Sequence, residues 1–269
     1  MIMEKKMFNN LTAVGLTNPG CVREHNEDNI LIDQSLGLLV VADGMGGHEA
    51  GEVASMEAIK IIQQMLNMLN REITKRNPVS RLFSNLRTDD SDVNEKEQYL
   101  EEALHQANRH VYQLNLQRNA DDGTGMGTTI AGCWIVSDDT MLVFHVGDSR
   151  VYRFRNQKLE GLTKDHSVLQ EWHDNGCIGE KPKSNVILNA VGPFSEIIPE
   201  IQRVIIEDTD SFLICSDGLS DMLEDSVIEE ILYGLKTERI DSYSQNLLEA
   251  ALLHGGKDNI SIVLITQSP

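Results

Sequence analysis

Apolar residues recur along this chain with two periods, and the switches between them mark out its elements. Runs rich in β-branched residues predict strands over 11–16, 29–33, 38–42, 129–136, 141–146, 151–155, 201–206, 212–215 and 260–265. Short polar turns at 137–140 and 207–210 join neighbouring runs, which favours antiparallel hairpins over parallel crossovers. From Glu49 to Leu69 the spacing changes to that of a helix, with Val53, Ala54, Ala58, Ile61, Met65 and Leu69 on one face. Leu100, Leu104, Ala107, Val111 and Leu114 repeat the signal in a second long helix, and shorter helices fit 227–235 and 243–253. The polar stretch 74–98, which contains Pro78, predicts a loop between the long helices. The stretch 168–200, punctuated by Gly176, Gly179, Pro182, Gly192, Pro193 and Pro199, predicts a flap. With no internal repeat and no second compositional regime, the expectation is a single α+β domain over 1–269. Its core spans about 11–265, with helices outside packed sheets.

The acidic residues change this picture from fold to chemistry. The run 38–42 ends on Asp43, the run 212–215 reaches Asp217 after one serine, and 141–146 reaches Asp148 after one glycine. Asp258 and Asn259 open the run 260–265. Carboxylates held at the ends of buried strands can form an oxygen cage for a hard cation. Asp43-Gly44-Met45-Gly46-Gly47-His48 adds glycines that let the backbone bend closely and expose a carbonyl as a further ligand. No Lys-Ser/Thr follows, so this is not a phosphate-cradling loop, and its glycine spacing is not that of a dinucleotide fingerprint. Each segment also has a plainer explanation. The lesser reading of the Asp43 turn is a capped strand-to-helix connection, whereas Ser216-Asp217-Gly218 reads equally as a turn before a helix. For Gly147-Asp148-Ser149-Arg150 the structural role of a hairpin turn is the preferred one.

Composition narrows the partners. There are 42 acidic against 23 basic side chains among 269 residues, a formal net charge of −19. The pairs Lys5-Lys6 and Lys75-Arg76 are too short to form a basic patch, so no nucleic-acid partner is expected. Excess carboxylate fits divalent-cation binding, although solubility accounts for most of it. Cys21, Cys133, Cys177 and Cys215 show no Cys-x-x-Cys spacing, which disfavours zinc and disulfide frameworks. No stretch approaches the ~18 apolar residues of a membrane span. Residues 1–10 lack the apolar region of a signal peptide, and a cytoplasmic location is expected.

In its order of motifs the chain resembles the metal-dependent serine/threonine protein phosphatases of type 2C, in their compact bacterial form. The resemblance rests on Arg23, Glu27 and Asp28, the Asp43–His48 box and Met126-Gly127-Thr128-Thr129. It continues through Gly147-Asp148-Ser149-Arg150, Thr163-Lys164-Asp165-His166-Ser167, Ser216-Asp217-Gly218 and Gly256-Lys257-Asp258-Asn259. It implies two packed antiparallel β-sheets flanked by helices on both sides, and hydrolysis of phosphoserine and phosphothreonine in proteins with Mn²⁺ or Mg²⁺. The implied substrates are phosphorylated proteins, with a serine/threonine kinase as the opposing partner, and a monomer is expected.

Carried over position by position, the resemblance implies that Asp43, Asp217 and Asp258 hold one ion. Glu27, Asp43 and the Gly44 carbonyl hold the second, so that Asp43 bridges the pair. Asp28 would hydrogen-bond a water at the ions, and Arg23 would grip the substrate phosphate through its planar fork. The other reading of Arg23 is a structural ion pair with Glu27 or Asp28. Some members hold a third, weaker ion; Asp221 matches one of its ligands, and Asp122, upstream of the Met-Gly-Thr-Thr box, is the candidate for the other. Met45 fills the position where eukaryotic members carry a histidine, and a thioether donates no proton. His48 is then the nearest proton donor for the leaving alkoxide, with a water at the metals as the other source. The alternative function is an inactive pseudo-phosphatase that binds phosphoproteins or metal; the intact carboxylate set argues against it.

Overall fold

The computed structural model describes residues 2–8, 11–46, 50–76, 90–118, 125–182, 186–236 and 239–267. In chain order the first half comprises β1 (Ile2–Phe8), β2 (Leu11–Asn18), β3 (Asn29–Asp33), β4 (Leu38–Ala42), β5 (Gly44–Met45), α1 (Ala50–Arg76), α2 (Asp90–Gln117) and β6 (Gly127–Thr128). Then follow β7 (Ile130–Ile135), β8 (Thr140–Val146), β9 (Arg150–Arg155), β10 (Lys158–Gly161), α3 (Val168–Asp174) and β11 (Glu200–Ile205). The last elements are β12 (Ser211–Cys215), α4 (Asp217–Ser220), α5 (Asp225–Leu232), α6 (Ile240–Leu253) and β13 (Ile260–Gln267).

The strands form a six-stranded sheet in the order β1-β2-β13-β12-β9-β10 and a five-stranded sheet in the order β11-β8-β7-β4-β3. A two-stranded β5-β6 pair completes the set, and every named pairing is antiparallel. Side-chain alternation sends the inner strands of both sheets into two cores. In β4, Leu39 and Val41 meet Val263, Ile265, Phe212 and Ile214 between the sheets. Leu38, Val40 and Ala42 instead face the helix layer, with Ile62 and Leu66 of α1 and Leu100 and Leu104 of α2. On the other side, Leu213, Cys215, Ile262 and Leu264 pack against Leu219, Ile228, Leu247 and Leu248 of the last three helices. Burial on both faces explains why these strands read as nearly continuous apolar runs, a pattern more familiar from parallel sheets. The expected α+β sandwich, flanked by helices on both sides, is the fold observed.

The differences from expectation have local causes. Residues 74–76 and 90–98, expected in a loop, are helical: α1 runs to Arg76 and α2 starts at Asp90, while 77–89 fall outside the described residues. The polar stretch is the solvent face of a helix whose inner face carries Val93, Leu100, Ala103 and Leu104, and Asp90 and Asp92 suit its first turn. Strand β10 was not expected because Lys158–Gly161 is a largely exposed edge without alternation. It is joined to β9 by Asn156 and Gln157, both at positive φ (53° and 62°), the geometry of a primed hairpin turn without its usual glycine. Helix α3 buries no side chain, so no apolar stripe announced it; Ser167 caps it by accepting from the Gln170 N–H at 3.2 Å.

Candidate metal centre

One end of the sandwich gathers the acidic strand ends of both sheets. Glu27 and Asp28 precede β3 and Asp43 follows β4, all on the five-stranded sheet, whereas Asp217 follows β12 and Asp258 precedes β13 on the six-stranded one. Cross-sheet hydrogen bonds hold the two sets in register. Ser216 Oγ donates to Asp28 Oδ2 at 2.9 Å and itself accepts from the Ser261 N–H at 2.9 Å. Asn259 Oδ1 accepts from the Glu27 N–H at 2.8 Å, and its Nδ2 donates to the carbonyls of Pro19 (3.1 Å) and His25 (2.9 Å). The Glu27 carbonyl in turn accepts from Ser55 Oγ of α1 at 2.6 Å.

The Asp43 backbone is fixed from the Met-Gly-Thr-Thr box. Its N–H donates to Thr129 Oγ1 at 3.1 Å, and its carbonyl accepts from the Thr129 N–H and from Thr128 Oγ1, each at 2.9 Å. Gly44 then passes so close to its neighbours that a Cβ there would lie 2.3 Å from the Gly51 carbonyl oxygen and 2.4 Å from that of Glu27. Only glycine permits this approach of the β4 end to α1.

The carboxylates strain against one another. The Asp43 and Asp217 side chains come within hydrogen-bonding reach. Burial, then the charges of Asp28 and Asp217, hold the Asp43 carboxyl well above the usual range. Burial pushes Asp28 up to about 7 against the opposing bonds from Ser261 and Ser216, and pushes Asp217 up to about 6 with help from Asp221. Glu27 and Asp221 are raised by burial too, partly offset by Arg23 and Arg150 respectively. Asp28 Oδ1 and Asp217 Oδ1 are buried and meet no hydrogen-bond donor. A crowded set of oxygen donors, short of protons and counter-charge, fits hard divalent cations such as Mg²⁺ or Mn²⁺. The donor set therefore fits the metals expected from the sequence.

Two features depart from the sequence reading. The ion-pair partner of Arg23 is Asp258, with Nη2 2.7 Å from Oδ2, and not Glu27 or Asp28; the arginine side chain remains 53% exposed at the rim. For Asp148 the sequence favours a hairpin turn, but β8 and β9 belong to different sheets, and Asp148 is buried in the crossing between them, beside the charges of Asp217 and Asp221. Burial pushes it up to about 7, and the next causes are the charges of Asp217 and Asp165. The signal for it was the apolar run of β8 ending on an acid, as β4 does at Asp43. His48 and Asp122 lie outside the described residues.

Comparison with known proteins agrees with this geometry. Residues 22–252 match the family model described as Protein phosphatase 2C. The chain is 30% identical over 259 residues to a protein named serine/threonine phosphatase stp from Listeria monocytogenes, covering 93% of each. It superposes on the solved Mycobacterium tuberculosis serine/threonine phosphatase PstP/Ppp with a TM-score of 0.77 at 28% identity, covering 96% of this chain and 99% of that one. A structure of the PstP catalytic domain in complex with two manganese ions gives a TM-score of 0.76 at 28% identity, with the same coverage of 96% and 99%.

Proposed function

The chain belongs to the protein phosphatase 2C family and is a metal-dependent protein serine/threonine phosphatase, and we propose how its residues divide that work. Asp43, Asp217 and Asp258 would hold one ion, and Glu27, Asp43 and the Gly44 carbonyl the other. When bound, such ions neutralise a phosphate dianion and activate water as the nucleophile. Arg23, exposed at the rim beside Asp258, is placed to receive the phosphate oxygens of an incoming side chain and to stabilise their charge as the bond to the serine or threonine oxygen breaks. Asp28 acts from below: Ser216 holds one of its oxygens, leaving Oδ1 to accept a proton from, or orient, the attacking water. His48 is the proposed donor of the proton to the leaving alkoxide. For a third, weaker ion we assign Asp148 as the companion of Asp221 in place of Asp122, because Asp148 is buried and its charge acts together with those of Asp217 and Asp221.

The whole of 11–265 is proposed as one catalytic domain, working as a cytoplasmic monomer against a cognate serine/threonine kinase. Its substrates are phosphoproteins. Among the described residues no helix is long and apolar enough to cross a membrane. The observation that carries the residue assignment is the convergence of acids from both sheets around buried oxygens that the protein leaves without donors. Phosphate release from a phosphothreonine peptide, with Mn²⁺ and with chelator, tests it in wild type and in Asp43→Asn. Release that survives either the chelator or the substitution rejects the assignment.

A further inference from the structure

A second group of polar side chains lies behind the metal centre, where the turn between β8 and β9 meets the segment 186–200. Gly147 in that turn has φ +108°, and a Cβ there would lie 2.7 Å from the Thr129 side chain, so the position is closely packed and suits only glycine. His166 grips it from two sides. The Gly147 N–H donates to His166 Nδ1 at 3.2 Å, and the His166 N–H donates to the Gly147 carbonyl at 2.9 Å. Asn189 Nδ2 donates to the same Nδ1 at 2.9 Å. The orientation of the Asn189 amide is set by Ile198, whose carbonyl accepts from Nδ2 at 2.7 Å and whose N–H donates to Oδ1 at 3.3 Å. Turning the amide over would bring like groups together at both points.

This arrangement decides what His166 can do. One ligand atom from each of His145, His166 and Glu200 lies within 4.8 Å of the others, a spacing open to a cation. However, Nδ1 of His166 faces a backbone donor and an amide donor, so it carries no proton. The neutral ring then keeps its proton on Nε2, 3.4 Å from Glu200 Oε1. A protonated Nε2 has no lone pair for a metal. The ring is a hydrogen-bond strut, packed against His145 with centroids 4.4 Å apart and planes tilted by 34°; His145 Nε2 donates to the Lys164 carbonyl at 2.7 Å.

We infer that His166 and Asn189 are positioning residues of the phosphatase site: the strut Ile198–Asn189–His166–Gly147 sets the turn that aims Asp148 at Asp217 and Asp221. A parallel tether joins the same segment to the bridging aspartate. Val191 pairs with Thr128 through two 2.9 Å backbone bonds, and Thr128 Oγ1 donates to the Asp43 carbonyl. The segment 186–200 and the weaker cation position are therefore mechanically linked.

The inference rests on the assignment of Asp148 to the third ion, and the test separates the two. Asn189→Ala removes the amide, and His166→Phe keeps a ring of similar size while removing the acceptor. In the metal-free full chain, hydrogen exchange read by NMR at the Gly147 amide should quicken about tenfold in both, the equilibrium factor of one hydrogen bond. Calorimetry should show the weakest-bound Mn²⁺ losing affinity by about the same factor, with the tighter sites unchanged. Gly147 exchange as slow as in wild type in both folded variants overturns the strut. Asp148→Asn binding every Mn²⁺ as wild type does would overturn the Asp148 assignment alone, leaving the strut to be judged on the exchange measurement.

Discussion

Strand β12 has an aspartate at each end, and the fold treats the two in opposite ways. Asp210, just before the strand, is 1% exposed and closed by the protein itself. Arg155 donates through Nε and Nη2 to its two oxygens at 2.5 and 2.6 Å, and the Glu207 N–H donates to Oδ2 at 2.9 Å. Asp217, about 20 Å away at the other end, faces Asp43, Asp221 and Asp258, and its buried Oδ1 meets no donor. The residue type and the strand are the same; what differs is the supply of counter-charge. Where the chain provides its own cation the acid is a clasp, and where it withholds one the acid stays open to the cation proposed for this site.

The largest effect expected of that contrast is on turnover. Asp217→Asn or Asp43→Asn should lower phosphopeptide turnover at saturating Mn²⁺ about a thousandfold or more, roughly 4 kcal/mol. The metal-free melting temperature should stay level or rise, because a like charge leaves a crowded cluster. Asp210→Asn should leave turnover per folded molecule untouched, and a comparable loss there in steady-state kinetics would dissolve the contrast. Arg23→Ala should cost about 2–4 kcal/mol in kcat/KM, the scale of a lost charge-assisted contact, with Mn²⁺ stoichiometry unchanged by calorimetry. Lost Mn²⁺ sites would make Arg23 a prop for Asp258.

Smaller effects sharpen the comparison. His48→Ala should slow phosphopeptide hydrolysis roughly a hundredfold while sparing nitrophenyl phosphate, whose leaving group needs little protonation. Equal rates of decline on the two substrates would remove it as the proton donor. Asp210→Ala should destabilise the fold by about 2–3 kcal/mol in denaturant titrations, below or at the low end of the range for a broken buried pair. The discount follows from Arg155, which is 21% exposed and keeps Glu207 at 2.7 Å. Ser216→Ala should cost about 1–3 kcal/mol of stability, by taking the donor from Asp28 and the acceptor from the buried Ser261 N–H. Turnover should fall about tenfold with it, and an unchanged rate would show that Asp28 orients itself without Ser216.

Local spacing alone located β3 and β4 to the residue and placed Asp43, Asp217 and Asp258 at strand ends, because side-chain period and turn chemistry act over a few neighbouring residues. The ordered motifs also pointed correctly to the family and to its metals. Spacing could not reveal that Lys96, on the inner side of a polar stretch, reaches the Val136 carbonyl at 2.6 Å, so the start of α2 read as loop. Nor could it reveal that β2 lies beside β13, the pairing that brings Glu27 to Asn259 across 232 residues. Counter-charge is equally nonlocal: Asp148, Asp210 and Asp217 look alike in sequence, each beside an apolar run. Their roles separate only when folding sets Arg155 against Asp210 and gathers the other two with Asp221, since the energy of a buried charge depends on everything within a few ångströms of it and hardly at all on its neighbours along the chain.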